Sequence, residues 1–169
     1  MLPHDPSLRI AMTREARKKS RAWLASLCLA FVAGCSFHPS VPEGFARYPR
    51  GPLFDRSLRS ASPDGILYSV RIEQNKPRAD LAFWREAMKT RMGRAGYRVV
   101  SDSDCVMKDS PGALLKLAAP MGNQDYFYWI GIALSPEGKR ILVAEAAGES
   151  RRFLARQESI RMAIGSSGF

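Results

Sequence analysis

Apolar and polar residues alternate along residues 66–73, a pattern that is typical of a strand with one buried face. Residues 53–60 form a similar stretch just before it. Between the two lie Pro63 and Gly65, where proline favours a turn and glycine accepts left-handed backbone. The pattern therefore predicts an antiparallel hairpin. The residues expected on the buried face of its second strand are Ile66, Tyr68, Val70 and Ile72.

A helical spacing of apolar residues replaces this alternation between residues 80 and 96. Asp80 is a suitable N-cap, because its carboxylate can accept hydrogen bonds from the first N–H groups of a helix. Gly96 stands just past the last turn, where glycine commonly closes a helix in the left-handed conformation. We therefore expect a helix between these two residues. Its inner face is predicted to carry Leu81, Trp84, Met88, Met92 and Ala95.

Further apolar runs predict strands at residues 97–101, 113–119, 126–134 and 140–146. The third run, YFYWIGIAL, is apolar on both faces, which favours a central strand covered by helices. Asp102 and Asp104 follow the first run and suggest calcium ligands at first sight. A calcium loop needs further oxygen ligands at fixed offsets, and these are missing, so we expect a solvated turn there.

A second helix is predicted over residues 151–164, with Phe153, Leu154, Ile160 and Ile164 on its inner face. The complete order is then strand, strand, helix, three or four strands, helix. Sequential antiparallel strands with separate helices predict an α+β sandwich, in which an antiparallel sheet packs against two main helices.

This element order, together with two stretches of sequence, resembles the PsbP-like fold. The stretches are AFWREAMKTRMGRAGYRVV at residues 82–100 and YFYWIGIALSPEGKRILVAEAAG at residues 126–148. The fold is shared by the extrinsic protein of photosystem II, a Ran-binding nuclear import factor and several bacterial lipoproteins. The resemblance covers residues 53–164 and implies an adaptor role. It brings no catalytic motif, so it implies no catalytic residue in this chain.

An apolar run at residues 22–33 follows a basic cluster at residues 17–21. A membrane-spanning helix needs about 20 apolar residues, and this shorter run with its basic flank is typical of an export signal. The run ends in Val32-Ala33-Gly34-Cys35, which resembles the lipobox of bacterial lipoproteins. That resemblance implies cleavage before Cys35 and acylation of its thiol and its new amino group. Two or more acyl chains give stable membrane anchoring.

The chain is therefore predicted to have three parts. These are a lipoprotein signal peptide at residues 1–34, a lipidated tether rich in proline and glycine at 35–52, and an α+β globular domain at 53–169. Ser36 stands where an inner-membrane retention signal has aspartate, so the resemblance to bacterial lipoproteins implies the outer membrane, facing the periplasm. Met12 would begin a signal of more ordinary length than Met1, and the sequence leaves the choice between them open.

Charge and cysteine content add two restrictions. The formal net charge of the whole chain is +10, and it falls to +6 once residues 1–34 are removed. This mildly basic balance fits contact with anionic lipids or cell-wall polymers, and an exported protein is not expected to bind nucleic acid. Cys28 leaves with the signal and Cys35 is the lipidation site, so Cys105 has no disulfide partner. With no histidine near it in sequence, we interpret Cys105 as a buried or tolerated cysteine.

The sequence offers no catalytic constellation. His38 is the one histidine after the signal and lies in the predicted tether, which argues against histidine-based catalysis and a histidine-rich metal site. Four carboxylates could converge for acid–base catalysis, although their spacing does not predict it. They are Asp64, Glu73, Asp125 and Glu145. We therefore expect no enzyme, no cofactor and no metal.

Two functional hypotheses remain. The first is a non-enzymatic envelope lipoprotein that acts as an adaptor or assembly factor and binds another envelope component. The alternative is a periplasmic domain that binds a lipid or another amphipathic small ligand between the sheet and a helix. A continuous apolar cavity would favour the ligand, and a solid core with an exposed aromatic patch would favour a protein partner. The aromatic residues available for either surface are Trp84, Tyr126, Tyr128 and Trp129.

Overall fold

The computed structural model describes residues 37–49 and 57–169. The strands in this part are Ala46–Arg47 (β1), Ser57–Ala61 (β2), Leu67–Gln74 (β3), Arg98–Met107 (β4), Ser110–Met121 (β5), Gln124–Leu134 (β6) and Arg140–Glu149 (β7). The helices are Leu81–Arg94 (α1) and Ser150–Ser166 (α2). The seven strands form one antiparallel sheet in the order β1-β2-β3-β7-β6-β5-β4. The predicted α+β sandwich, a sheet packed against two main helices, is confirmed.

Several predictions from the sequence concern residues outside the described part. The signal peptide, with Gly34 and Cys35 at its predicted cleavage site, belongs to residues 1–36, and the start of the first predicted strand belongs to residues 50–56. Neither described helix is both long and apolar enough to cross a membrane.

The two helices cover opposite faces of the sheet. Side chains alternate along β6, so Trp129 and Ala133 lie on the α2 side, whereas Ile130 and Ile132 lie on the α1 side. The α2-side core also contains Tyr68, Phe153, Ile160 and Ile164. The α1-side core also contains Leu115, Leu117, Ile141 and Val143. Since β6 lies between the two cores, its apolar character on both faces is explained, and the predicted helix cover is confirmed.

The first predicted hairpin forms as expected. β2 pairs antiparallel with β3, and the turn between them places Gly65 at a φ of +89°. Tyr68 and Val70 are buried on one face of β3, whereas Leu67 is exposed on the other. The alternation of apolar residues therefore predicted the buried face of this strand correctly.

Both caps of α1 are confirmed. Asp80 accepts a hydrogen bond of 2.8 Å from the N–H of Phe83. Gly96 has a φ of +87°, and the N–H of Tyr97 donates to the carbonyl of Met92 at 3.0 Å, which closes the helix in a Schellman motif. Four of the predicted inner residues pack against the α1-side core, namely Leu81, Trp84, Met88 and Met92. Ala95 is exposed, so its assignment to the inner face is wrong.

The predicted turn at Asp102 and Asp104 is wrong, because both residues lie inside β4. Arg85 of α1 pairs with both carboxylates, and the Nζ of Lys89 lies 3.0 Å from Asp102. These ion pairs give the acidic residues a partner on the neighbouring helix, so a strand can carry them. The chain turns later, at Lys108 and Asp109, where Lys108 has a φ of +53°.

The inner face of α2 is rotated slightly from the predicted one. Phe153, Ile160 and Ile164 are buried as expected, but Leu154 is 48% exposed. Ala163 is buried instead, one helical turn after Ile160 and beside Ile164. Ala163 was not among the predicted inner positions and Leu154 was, so the predicted direction of the buried face was misplaced by about one residue.

Residues 37–49, which belong to the segment predicted as a tether, lie against the domain. His38 and Gly168 exchange two backbone hydrogen bonds of 3.1 Å, and the N–H of Ser40 donates to the Oγ of Ser167 at 3.1 Å. Phe45 packs edge-on against Tyr68, with ring centroids 6.4 Å apart. This part of the segment is therefore a layer on the α2-side core.

Candidate functional site

The face of the sheet that packs against α1 is only partly covered by that helix. α1 lies over β4, β5 and β6, so β2, β3 and part of β7 extend beyond it. An open groove of about 660 Å³ lies on this extension, and residues of β2, β3, β6, β7 and α1 line it together with Tyr48. The alternation of β3 directs Leu67, Ser69 and Arg71 into the groove while Tyr68 and Val70 enter the opposite core.

One wall of the groove is apolar and aromatic. Tyr48 and Leu67 are each 54% exposed, which leaves large apolar surfaces open to solvent. Tyr128 is partly buried and stands edge-on to Tyr97, with ring centroids 5.6 Å apart. A partner that covered these three residues would bury apolar surface, and this burial would favour binding.

On the floor of the groove one arginine, Arg71, forms ion pairs with two glutamates. Arg71 donates to Glu145 and, at 2.6 Å, to Glu73. Burial acts to lower the pKa of Arg71, but the hydrogen bonds and charges of the two glutamates outweigh it and raise the pKa above its usual value. Burial, followed by the charge of Glu145 and a hydrogen bond to it, raises the pKa of Tyr128 as well. Glu145 is therefore shared by a guanidinium and a phenol.

The rim of the groove carries two further arginines. Arg59 and Arg91 are exposed, and neither has an ion-pair partner among the described residues. Arg91 belongs to the last turn of α1, where a cation is also favoured by the helix dipole. Because Arg71 is already neutralised by its two glutamates, Arg59 and Arg91 leave the groove with excess positive charge.

The structure does not bring together the four aromatic residues proposed as a surface. Trp129 is 4% exposed and packs against Phe153, with ring centroids 5.1 Å apart, on the α2 side of the sheet. Trp84 and Tyr128 lie on the α1 side, and Tyr126 shares the alternation of Tyr128. Of the four, only Tyr128 lines the groove.

Most residues of this site were not predicted from the sequence. Leu67 and Arg71 lie on the strand face opposite the one predicted to be buried, and neither Arg59 nor Arg91 was proposed as a site residue. No spacing rule joins these residues, because the groove exists only where α1 stops short of β2 and β3.

The four carboxylates considered for acid–base catalysis do not form one cluster. Asp64 pairs with Arg156 at 2.9 Å, and hydrogen bonds from Ser62 and then Arg156 lower the pKa of Asp64. Glu73 and Glu145 share Arg71, and Asp125 lies apart at the start of β6. In residues 37–49 and 57–169 no group of three or more histidine, cysteine, aspartate or glutamate side chains is arranged to hold a metal ion.

Cys105 is the free thiol of the described part and is half-buried in β4. Burial, and next the charge of Asp104, raise the pKa of this thiol. A raised pKa disfavours the thiolate, which is the nucleophilic form of cysteine. This environment fits a packed thiol more closely than a reactive one.

Comparison with known proteins finds solved structures of similar fold. No family model and no curated protein sequence matches the chain. PA94, a Pseudomonas aeruginosa protein of unknown function, matches with a TM-score of 0.54 at 9% identity, over 80% of this chain and 87% of its own. LpqN, involved in cell envelope biogenesis of Mycobacterium tuberculosis, matches with a TM-score of 0.53 at 9% identity, over 78% and 81%. The Ran-binding protein Mog1p of Saccharomyces cerevisiae matches with a TM-score of 0.53 at 11% identity, over 79% and 86%. These likenesses show a common α+β fold.

Proposed function

We propose that this chain is a lipid-anchored, non-enzymatic protein of the bacterial cell envelope whose domain binds an acidic segment of another envelope protein in the groove. The anchor is supported by the sequence Val32-Ala33-Gly34-Cys35 behind its basic and apolar segments. The outer membrane is the proposed location, on the ground of Ser36. An envelope role is in keeping with LpqN, and a protein-binding role with the Ran-binding Mog1p, which share the fold.

The main support for the binding role is that arginines without an ion-pair partner among the described residues lie beside exposed apolar surface. Arg59 and Arg91 flank a groove whose wall is formed by Tyr48 and Leu67. Hydrogen bonds between guanidinium and carboxylate are among the strongest available to a protein surface. Tyrosine and arginine around a partly apolar centre are typical of energetically important residues in protein interfaces.

A protein partner fits this geometry better than a small amphipathic ligand. A ligand pocket is expected to be concave and to bury most of its ligand. Here Trp84 packs in the α1-side core and Trp129 in the α2-side core, so neither helix leaves an aromatic cleft against the sheet. The open groove, in contrast, offers a rim and a floor to an extended chain.

The non-enzymatic part of the proposal rests on how the acidic groups are engaged. Glu145, the carboxylate inside the groove, is held by Arg71 and Tyr128. Asp64 is held by Arg156 outside the groove. A carboxylate whose oxygens are engaged by arginine is poorly placed to exchange a proton with a substrate, which general acid–base catalysis requires.

Site-specific photo-crosslinking in intact cells tests the partner site. A photoreactive residue replaces Leu67 in the groove or, as a matched control, Met162, which is 59% exposed on α2. We expect one cross-linked protein from position 67 that is absent from position 162. Its yield should fall in the double variant Arg59→Glu, Arg91→Glu and stay unchanged in Arg151→Glu, an exposed arginine at the start of α2. Equal cross-linking at both positions, or insensitivity to the double variant, would contradict the proposed site.

A further inference from the structure

The first described residues, Phe37 and His38, lie at one end of the sheet. At this end β4 turns into β5 through Lys108–Asp109, β6 turns into β7 through residues 135–139, and α2 finishes. We call it the hairpin end. His38 meets Gly168 here, and the N–H of Lys108 lies close to the carbonyl of Gly165. The turn with Gly65 and the start of α2 lie at the opposite end, the far end.

The attachment at the hairpin end is firm. Phe37, Val41 and Phe45 pack against the α2-side core, and two backbone hydrogen bonds of 3.1 Å join His38 to Gly168. Ser40 adds a bond to Ser167, whose side chain is buried and donates to the carbonyl of Ala163. Residues 37–49 therefore belong to the folded layer and do not act as a flexible spacer.

Little chain remains between this layer and the predicted lipid. Cys35 precedes Phe37 by two residues, which span at most about 7 Å when fully extended. Acyl chains on Cys35 would thus hold Phe37, and with it the hairpin end, next to the leaflet in which they are buried. A long flexible spacer would instead have allowed the domain to turn freely.

We propose that the hairpin end rests on the head groups of the membrane leaflet that holds Cys35, so that the domain has a fixed orientation. This inference rests on the lipidation in the proposed function. Anionic phospholipid is the partner that fits, because Lys76, Lys108 and Lys139 are all exposed at this end. The guanidinium of Arg140, which lies 5.5 Å from the ring centre of Phe169, adds a further positive charge.

The charges at the two ends do not by themselves determine which end faces the membrane. The attachment point determines it. The hairpin end also carries acidic side chains, Asp109 and Glu137, while Arg94 and Arg151 are exposed at the far end. A freely turning domain could present either end to an anionic surface. The short reach from Cys35 to Phe37 removes that freedom.

The orientation has a consequence for the groove. Leu67 begins β3 at the far end, and Gln74 ends it at the hairpin end. Eight residues of strand separate these ends by about 23 Å. The apolar wall of the groove would therefore stand well above the head groups, open to a partner that approaches from the aqueous side of the membrane.

Lysine labelling of the full-length protein tests the orientation. The purified protein is reconstituted in vesicles of phosphatidylethanolamine and phosphatidylglycerol, treated with an amine-reactive reagent, and compared with the same protein in detergent by mass spectrometry of peptides. Arg94→Lys and Arg151→Lys provide reporter lysines at the far end, both at exposed positions. We expect labelling of Lys76, Lys108 and Lys139 to be several-fold slower in vesicles than in detergent, and labelling of the reporter lysines to change little.

The intact mass of the same sample separates the two proposals. An acylated protein whose two ends are labelled alike overturns the orientation and leaves the anchor standing, whereas a protein without acyl chains overturns both. A second variant inserts about ten Gly and Ser residues between Ser36 and Phe37, which adds a root-mean-square reach of about 17 Å. This insertion should restore labelling of the hairpin end without changing the fold. Protection that survives the insertion would also overturn the proposal.

Discussion

The indole Nε1 of Trp84 donates a hydrogen bond of 2.7 Å to the Oδ1 of Asn75. The amide nitrogen of Asn75 in turn donates to the carbonyls of Ala79 at 2.8 Å and Gly138 at 2.9 Å. Asn75 is 5% exposed, so these bonds are made largely away from water. One buried amide therefore joins the end of β3, the first turn of α1 and the turn between β6 and β7.

Replacing this amide should destabilise the whole domain. Asn75→Ala removes four hydrogen bonds and leaves the indole N–H of Trp84 and the carbonyl of Gly138 without that partner. We expect the free energy of unfolding to fall by about 2–4 kcal/mol, measured by urea denaturation. Asn123→Ala, at an exposed turn, is the control and should change little. Equal stability of the two variants would show that the buried amide has no structural role.

Close packing at Gly131 gives a second prediction. A Cβ at this position would lie 2.5 Å from the Cγ2 of Ile164 and 3.3 Å from the sulfur of Met107, both in the α2-side core. Gly131→Ala should therefore force the helix away from the sheet and cost about 1–3 kcal/mol of stability.

Gly93→Ala is the matched substitution. Nothing lies within 4 Å of a Cβ at that position in α1, so alanine should stabilise the protein by up to about 1 kcal/mol through its higher helix propensity. Thermal and urea denaturation of both variants should give shifts of opposite sign. Shifts of the same sign would argue against the close approach of α2 to β6.

The local signals in the sequence predicted α1 well because its ends are decided by nearby residues. Asp80 bonds a residue three positions on, and Gly96 closes the helix within its own last turn. The path of β4 depended on distant residues instead. Asp102 reads as a turn residue by itself, and only its pairing with Arg85 and Lys89 on α1 makes it suitable for a strand.

The candidate site was harder to predict than the fold for a related reason. Arg59 and Arg91 are far apart in sequence and come together because α1 leaves β2 and β3 uncovered. The aromatic residues of the run at 126–134 were predicted to share one surface, but strand alternation places Trp129 and Tyr128 on opposite faces of the sheet. The number of aromatic residues in a strand does not show which of them are exposed, because that depends on where the helices cover the sheet.

Tyr68, which is buried, and Tyr128, which is partly buried, predict a loss of stability at high pH. Burial raises the pKa of Tyr68 from 10.0 to about 12, and burial together with Glu145 raises the pKa of Tyr128. Because these pKa values are higher in the folded protein than in the unfolded chain, their contribution is complete below pH 10 and is lost as the pH rises through the folded pKa. For Tyr68 we expect the loss to reach about 2–3 kcal/mol.

Urea denaturation across this pH range measures the effect. Tyr68→Phe and Tyr128→Phe should each show a weaker decline in the free energy of unfolding above pH 10 than the unsubstituted protein. Tyr48→Phe is the control, since Tyr48 is largely exposed, and it should follow the unsubstituted profile. If Tyr68→Phe retains the full decline, the buried phenol of Tyr68 is not its source.

The anchor is the prediction on which the envelope assignment depends. Each buried methylene of an acyl chain contributes about 0.8 kcal/mol to membrane binding, so a protein with two or three chains on Cys35 should sediment with membranes and resist washing with salt. Cys35→Ala should lack the added acyl mass and be released from the membrane. Cys105→Ala removes the other cysteine of the mature chain and should remain acylated and membrane-bound. Intact mass spectrometry with membrane fractionation decides between them, and an unacylated, soluble native protein would remove the reason for placing this domain in the envelope.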